Sequence, residues 1–206
     1  TSNTLNRNQL INNVSNDLQE KFGLGEDQFR ITGLAVLYNN MLQSLFDSQI
    51  KSLGIVFGVI LLMFLVIFRS IKVAVIGLIP NILTASSVLG LLGILSIPLD
   101  IMTITVAAIS VGMAVDNTIH YLYRYKVEIS NGVAPSDAIL KSHTTIGRAI
   151  LYTALTISIG FLIFSFSNFS PTVLFGTFTS LAIFTSLVAT LILLPLLLQS
   201  FKAFDS

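Results

Sequence analysis

The chain has 206 residues, 53% of them apolar and 10% charged, and its mean hydropathy of +0.85 lies outside the range of a domain with a polar surface, so it reads as an integral membrane protein. A formal net charge of +1 offers no basic field for nucleic acid. The absence of cysteine excludes disulfides, thiolate metal sites and Cys nucleophiles.

The first 49 residues are the most polar stretch. Leu10, Ile11, Val14, Leu18 and Phe22 recur at helical spacing, which predicts a helix over about 5–22 ended by Gly23 and Gly25. Gln28 to Gly33 alternates like a short strand, and a helical pattern returns from Leu34 to Phe46. So few apolar residues cannot bury a core alone. Residues 1–49 therefore read as a small α+β remnant, the end of an extramembrane domain, with a mobile juxtamembrane tail as the alternative. The opening stretch from Thr1 has no basic region followed by an apolar core, so the chain reads as a piece of a longer polypeptide or a processed product.

A spanning helix needs about 20 mostly apolar residues. Five segments meet this, at about 50–68, 73–95, 99–123, 148–166 and 172–198, so residues 50–206 are predicted to be an all-α, five-helix transmembrane domain. Pro80 and the glycines of the second segment predict a bend. From Ala149 to Phe201 there is no charge, and Ser165 to Pro171 supplies the only turn signal. Arg69 and Lys72 lie in the first loop, Arg124, Lys126, Lys141 and Arg148 in the third, and Lys202 in the tail. The positive-inside rule then puts these loops and the C-terminus in the cytoplasm and the N-terminal region outside.

Within the third loop, Asn131-Gly132 is a turn signal and Pro135-Ser136 a helix start with Ser136 as cap. Ala138, Ile139, Ser142 and Ile146 give one apolar face, which predicts a cytoplasmic amphipathic helix over about 136–146 lying along the membrane surface. His143 falls here and reads as a solvated or interfacial histidine with no role.

Asp116 is the only acidic residue between Ile101 and Tyr123. A carboxylate in hydrocarbon costs about 3 kcal/mol or more, so a chain that keeps one there uses it. Asp116 and His120 are four apart and share a helix face with Gly112, Ala108 and Thr105, small groups that let a neighbouring helix approach. Asp116 lies roughly 12 Å inside Arg124, too deep for so short a side chain to reach water. One reading is a proton relay, since a carboxyl beside an imidazole can take up and pass on a proton. The other is a hydrogen bond from Asp116 to Thr153, Thr156 or Ser158 that holds the bundle together. Ser or Asn would supply such glue at lower cost, which favours the relay. Asn117 reads as a relay support or a helix–helix hydrogen bond, and Tyr121, Tyr123 and Tyr125 as interfacial anchors. Hydroxyls such as Thr177, Thr185 and Thr190 in the last span can bond back to helix carbonyls.

Other chemistry finds little support. Two histidines 23 positions apart make no metal site, and no phosphate loop appears, so no metal or cofactor is expected. An intramembrane aspartyl protease needs paired carboxylates, and Asp100 lies about 24 Å along the helix from Asp116.

The motif Gly112-Met-Ala-Val-Asp116, continued as Asn-Thr-Ile-His120 and ending at Lys126, resembles the resistance-nodulation-division superfamily. It is most similar to the bacterial lipid-exporter branch typified by the mycobacterial membrane protein large family. The stretch from Ala138 to Thr153, running into Gly160-Phe161, and the Thr32-Gly33 entry carry the same resemblance. It implies twelve spans in two similar halves, each with one helix, a large periplasmic domain and five more helices. This chain then looks like the last five helices of one half plus the end of its periplasmic, porter-like domain at residues 1–49. It also implies a secondary active transporter of the bacterial inner membrane, not an enzyme, exporting lipidic or hydrophobic substrates. Asp116 would carry the proton relay with His120, Asn117 stands where a second acidic residue or a Tyr is common, and the remaining half, in this or another chain, would be the partner, in an oligomer or with a periplasmic protein. A sterol-sensing-like sensor or scaffold has the same five-helix arrangement and is the alternative.

Overall fold

The computed structural model describes residues 7–23, 25, 31, 33–97 and 101–201. The chain divides into two compact units, Thr1–Lys51 and Ser52–Ser206. In the first, α1 (Arg7–Phe22) forms where the apolar spacing predicts it. Gly23 then adopts φ 66° and donates its N–H to Gln19 O at 3.1 Å, a left-handed helix stop that glycine takes without a Cβ penalty. The strand expected over 28–33 falls on residues of which only 31 and 33 are described, so the α+β character of the remnant lies outside the described residues.

The elements that follow are α2 (Leu34–Phe68), α3 (Ile71–Ile94), α4 (Ile101–Ser130), α5 (Pro135–Ser142), a π-helical turn (His143–Gly147) and α6 (Arg148–Leu162). A 3₁₀ turn (Ile163–Phe166), α7 (Ser170–Val188), a second π turn (Ala189–Leu193) and α8 (Leu194–Ser200) complete the chain. The described residues form helices and turns only. Among the described residues, five helical runs are long and apolar enough to cross a membrane: Asp47–Phe68, Ile71–Ile94, Met102–Ser130, Pro135–Phe166 and Ser170–Ser200. This is a multi-pass membrane protein.

Two boundaries differ from those read off hydropathy. The third span does not end at Tyr123: α4 continues to Ser130, because Arg124 and Glu128 pair across one turn and Tyr125 and Glu128 are buried, so charge there does not mean solvent. The connector helix is α5, capped by Ala134 with Pro135 in its first turn, not by Ser136. Proline at the first helical position loses no hydrogen bond and presets φ. No break separates α5 from α6; the π turn carries one into the other, and α5 packs on α4.

Within the second unit α7 is central and packs against α4, α6 and α3. The seams are lined by small side chains buried to 2% exposure or less, among them Ala74, Ala85, Ala107, Ser110, Ala114 and Ala182, as expected where van der Waals packing drives association. Phe64, Val73, Tyr121, Leu122, Ile183 and Leu194 belong to the larger core cluster, while Val88, Leu92, Val106 and Phe178 form a second one. Large apolar residues such as Ile55, Val59, Leu62, Val66 and Phe184 face outward, which suits hydrocarbon. α3 runs without a break through Pro80; beside it, Asn81 Nδ2 donates to Gly77 O at 2.7 Å and Thr84 Oγ1 to Pro80 O at 2.8 Å. Both are i−4 side-chain-to-carbonyl bonds beside the proline, and neither goes to Ile76 O, the carbonyl that Pro80 leaves without its helical donor.

Candidate functional site

The helical period brings Asp116 and His120 together. His120 Nε2 lies 3.4 Å from Asp116 Oδ1, with the two side chains 59% and 71% exposed. Around them α4 presents an uncovered stripe: Met102, Thr105, Ala108, Gly112, Asp116, His120 and Tyr123 all lie on the open side. A Cβ added at Gly112 would meet nothing within 4 Å. From Thr105 to His120 the stripe thus carries only small or polar side chains and is open, on a helix whose other faces are covered by α3, α7 and α5.

The alternative partners of Asp116 inside this chain are elsewhere. Ser158 Oγ pairs with Ser180 Oγ at 2.6 Å, and Thr153 and Thr156 are exposed on α6, which packs on α7. Asn117 points away from the stripe. It is 7% exposed, and its Nδ2 is buried without a hydrogen-bond partner, as are Asn81 Oδ1, Thr179 Oγ1, Ser186 Oγ and Thr190 Oγ1. Of the four sequence candidates, therefore, Asp116, His120 and Gly112 share one face and Asn117 does not. Asp100, the second carboxylate a protease would need, lies outside the described residues.

Sequence reasoning missed a polar cluster one turn nearer the basic end. Tyr121, read as an interfacial anchor, is fully buried. Its hydroxyl lies 2.8 Å from His143 Nδ1, and the rings meet edge to face with centroids 5.4 Å apart. His143 is accordingly not a solvated histidine but a partly buried one with partners on several elements. Nearby, Glu128 is buried between Arg124, its i−4 neighbour, and Lys141 Nζ of α5 at 3.6 Å. Lys126 Nζ caps the end of α2 by donating to Ile67 O at 3.4 Å and lies 5.7 Å from the centroid of the Phe68 ring, a cation at the negative end of a helix dipole. Tyr123, by contrast, is 59% exposed. In α7, Thr177 and Thr185 bond back to Val173 O and Leu181 O, as expected of helix hydroxyls.

A bundle of five helices long and apolar enough to span a membrane, with an acidic–imidazole pair on an open face of the third, defines a polytopic α-helical membrane domain. Residues 3–204 match the model of the MMPL family, and the chain belongs to that family. It is similar to MmpL11 of Mycobacterium leprae, whose name describes a transport protein, with 24% identity over 212 residues, 95% of this chain and 20% of that one. It is also similar to MJ1562 of Methanocaldococcus jannaschii, whose name describes a membrane protein, with 29% identity over 139 residues, 68% of this chain and 36% of that one. YdgH of Bacillus subtilis, likewise named as a membrane protein, is 28% identical over 148 residues, 68% of this chain and 16% of that one. The chain spans 36% or less of the length of each of these relatives.

Proposed function

We propose that this chain is the membrane portion of one half of a proton-driven exporter of lipidic or hydrophobic substrates, with Asp116 and His120 as its proton relay. The observation that carries this reading is the Asp116–His120 pair, 3.4 Å apart on a helix face that the described residues of the second unit leave uncovered. A charge in hydrocarbon needs a polar partner or internal water. The remaining half, in the same or another polypeptide, covers that stripe and supplies polar groups opposite Asp116. Family membership and the likeness to a protein named for transport support the same reading. Residues 1–49 belong to the end of a periplasmic domain, and the basic end, with Arg69, Lys72, Arg124 and Lys126, faces the cytoplasm of a bacterial inner membrane.

In this mechanism, uptake and release of a proton at Asp116 changes the charge on the stripe. The affinity of α4 for the opposing half differs between the two states, and the helix shifts accordingly. The complete transporter, reconstituted into vesicles with a pH-sensitive dye inside and given an acid pulse outside, tests it. Asp116→Asn is expected to reduce proton entry to the level of protein-free vesicles, and His120→Asn to slow it. Entry at the parent rate in correctly inserted Asp116→Asn overturns the relay and favours the sensor or scaffold.

A further inference from the structure

Pro195 stands four residues after Leu191, in α8, which follows directly on the second π turn. Proline has no N–H, so Leu191 O cannot receive the bond an α-helix would give it, and inside a membrane that carbonyl needs another donor. His143 Nε2 stands 2.9 Å from it. A Cβ on Gly147, in the same π turn as His143, would lie 3.5 Å from Leu191 Cδ2, so the two π turns meet side by side. The other ring nitrogen, Nδ1, is within reach of two groups: Tyr121 Oη of α4 at 2.8 Å and Ile139 O of α5 at 3.1 Å.

These contacts fix the proton inventory. A carbonyl only accepts, so Nε2 must carry a hydrogen for Leu191 O. In neutral imidazole Nδ1 is then bare, and the Tyr121 hydroxyl donates to it, while Ile139 O faces a lone pair and receives nothing from the ring. When the ring takes a proton, Nδ1–H has two acceptors in reach, the Tyr121 oxygen and Ile139 O; the amide carbonyl is the stronger acceptor of the two, so the bond turns to Ile139 O, and the Tyr121 hydroxyl can no longer donate to the ring. Of the elements packed here, α4 carries from this point on the ionisable groups Tyr121, Tyr123, Arg124, Tyr125, Lys126 and Glu128, α5 carries Asp137 and Lys141, α6 carries Arg148 and Tyr152, and the run Ser170–Ser200 carries none. Glu128 is already held by Arg124 and Lys141, and Asp137, the carboxylate of α5, is exposed.

We propose that His143 is a positioning residue whose protonation state sets how the connector holds α4: neutral, it ties α5 and the π turn to Tyr121; charged, it turns back onto Ile139 O and releases α4, keeping Leu191 O throughout. Tyr121 follows His120 directly in the chain but lies on the buried side of α4, so the latch acts on the helix that carries the Asp116 stripe from its opposite face. The geometry stands without the relay reading, and two arms of the test separate the two.

The full chain in lipid nanodiscs, with ¹⁵N-labelled histidine, reports ring tautomer and charge directly, and with two histidines in the sequence a His120→Gln variant leaves the His143 signal alone. Expected are an Nε2–H tautomer with a hydrogen-bonded, bare Nδ1 in the neutral ring, a doubly protonated ring in acid, and loss of the Nδ1 hydrogen-bond shift in Tyr121→Phe, where the neutral ring loses its donor. Cysteines introduced at exposed Leu140 and Tyr123 into this cysteine-free chain carry spin labels. Their distance distribution is expected to broaden at acid pH, to become pH-independent in His143→Gln, and to keep its response in Asp116→Asn, the relay-dead background. A neutral Nδ1–H tautomer, an unmoved neutral-ring Nδ1 shift in Tyr121→Phe, or a pH response that survives His143→Gln overturns the latch.

Discussion

Two histidines in one membrane domain have different partners for reasons that can be traced residue by residue. His120 meets Asp116 because four residues on a helix return to the same face, a relation the sequence states outright. His143 meets Tyr121 and Leu191 O across 22 and 48 positions, which no periodicity encodes. One signal could have pointed to it: Pro195 in an uncharged apolar run frees a carbonyl one turn earlier, and a membrane interior leaves no such carbonyl unpaired. This gives a test by double-mutant cycle. Pro195→Ala restores a backbone N–H opposite Leu191 O, so His143→Ala is expected to cost about 1 kcal/mol less in that background than in the parent, measured by reversible unfolding in bicelles. Equal costs in both backgrounds would mean that His143 does not serve as the donor for that carbonyl.

At the scale of elements, the five spans and the turn after Ser165 were legible because length and apolar content decide what can cross a bilayer. What was not legible was where helices continue past their apolar part. Arg124 and Glu128 look like loop chemistry in a hydropathy profile, yet they neutralise each other within one turn and are covered by α5, whose Lys141 adds a third charge. The two π turns were equally hidden, since an extra residue in a helical turn leaves the apolar period of each flanking segment intact. Helix approach is clearer in the structure than in the sequence, where all glycines look alike. A Cβ at Gly176 would lie 2.5 Å from both Phe161 O and Phe164 Cβ, so α7 meets the end of α6 backbone to side chain. At Gly160 the same Cβ meets nothing within 4 Å. Gly176→Ala is therefore expected to destabilise the bundle by about 1–3 kcal/mol through forced separation of α6 and α7. Gly160→Ala is expected to be neutral or to stabilise by up to about 1 kcal/mol through helix propensity. Thermal unfolding of the two variants in one detergent compares them directly; equal melting temperatures would show that the α6–α7 contact has room to spare.

At the scale of the whole molecule, the composition of the α4 stripe is the strongest statement the chain makes about what surrounds it. Lipid-facing helices here carry Ile, Leu, Val and Phe, as at Ile55, Val59, Leu62, Val66 and Phe184, whereas the stripe through Thr105, Ala108, Gly112, Asp116 and His120 is small and polar. Small residues let two helices approach closely, and they contribute little against acyl chains. Gly112 separates two roles that a substitution at Asp116 would confound. Its surroundings in this chain are open, so Gly112→Leu has no clash to create within the bundle and is expected to leave the melting temperature of the isolated chain unchanged or slightly raised. Against an opposing helix the same side chain holds the backbones apart. On the proposed reading of a two-half proton-driven transporter, it is expected to weaken association of the two halves and to abolish proton entry while Asp116 and His120 remain intact. The two measurements are made on one variant: unfolding of this chain alone, and proton entry together with cross-linking of the halves in vesicles. Normal cross-linking and normal proton entry in Gly112→Leu would mean that the stripe faces lipid or water rather than protein, and the carboxylate of Asp116 would then need a different partner.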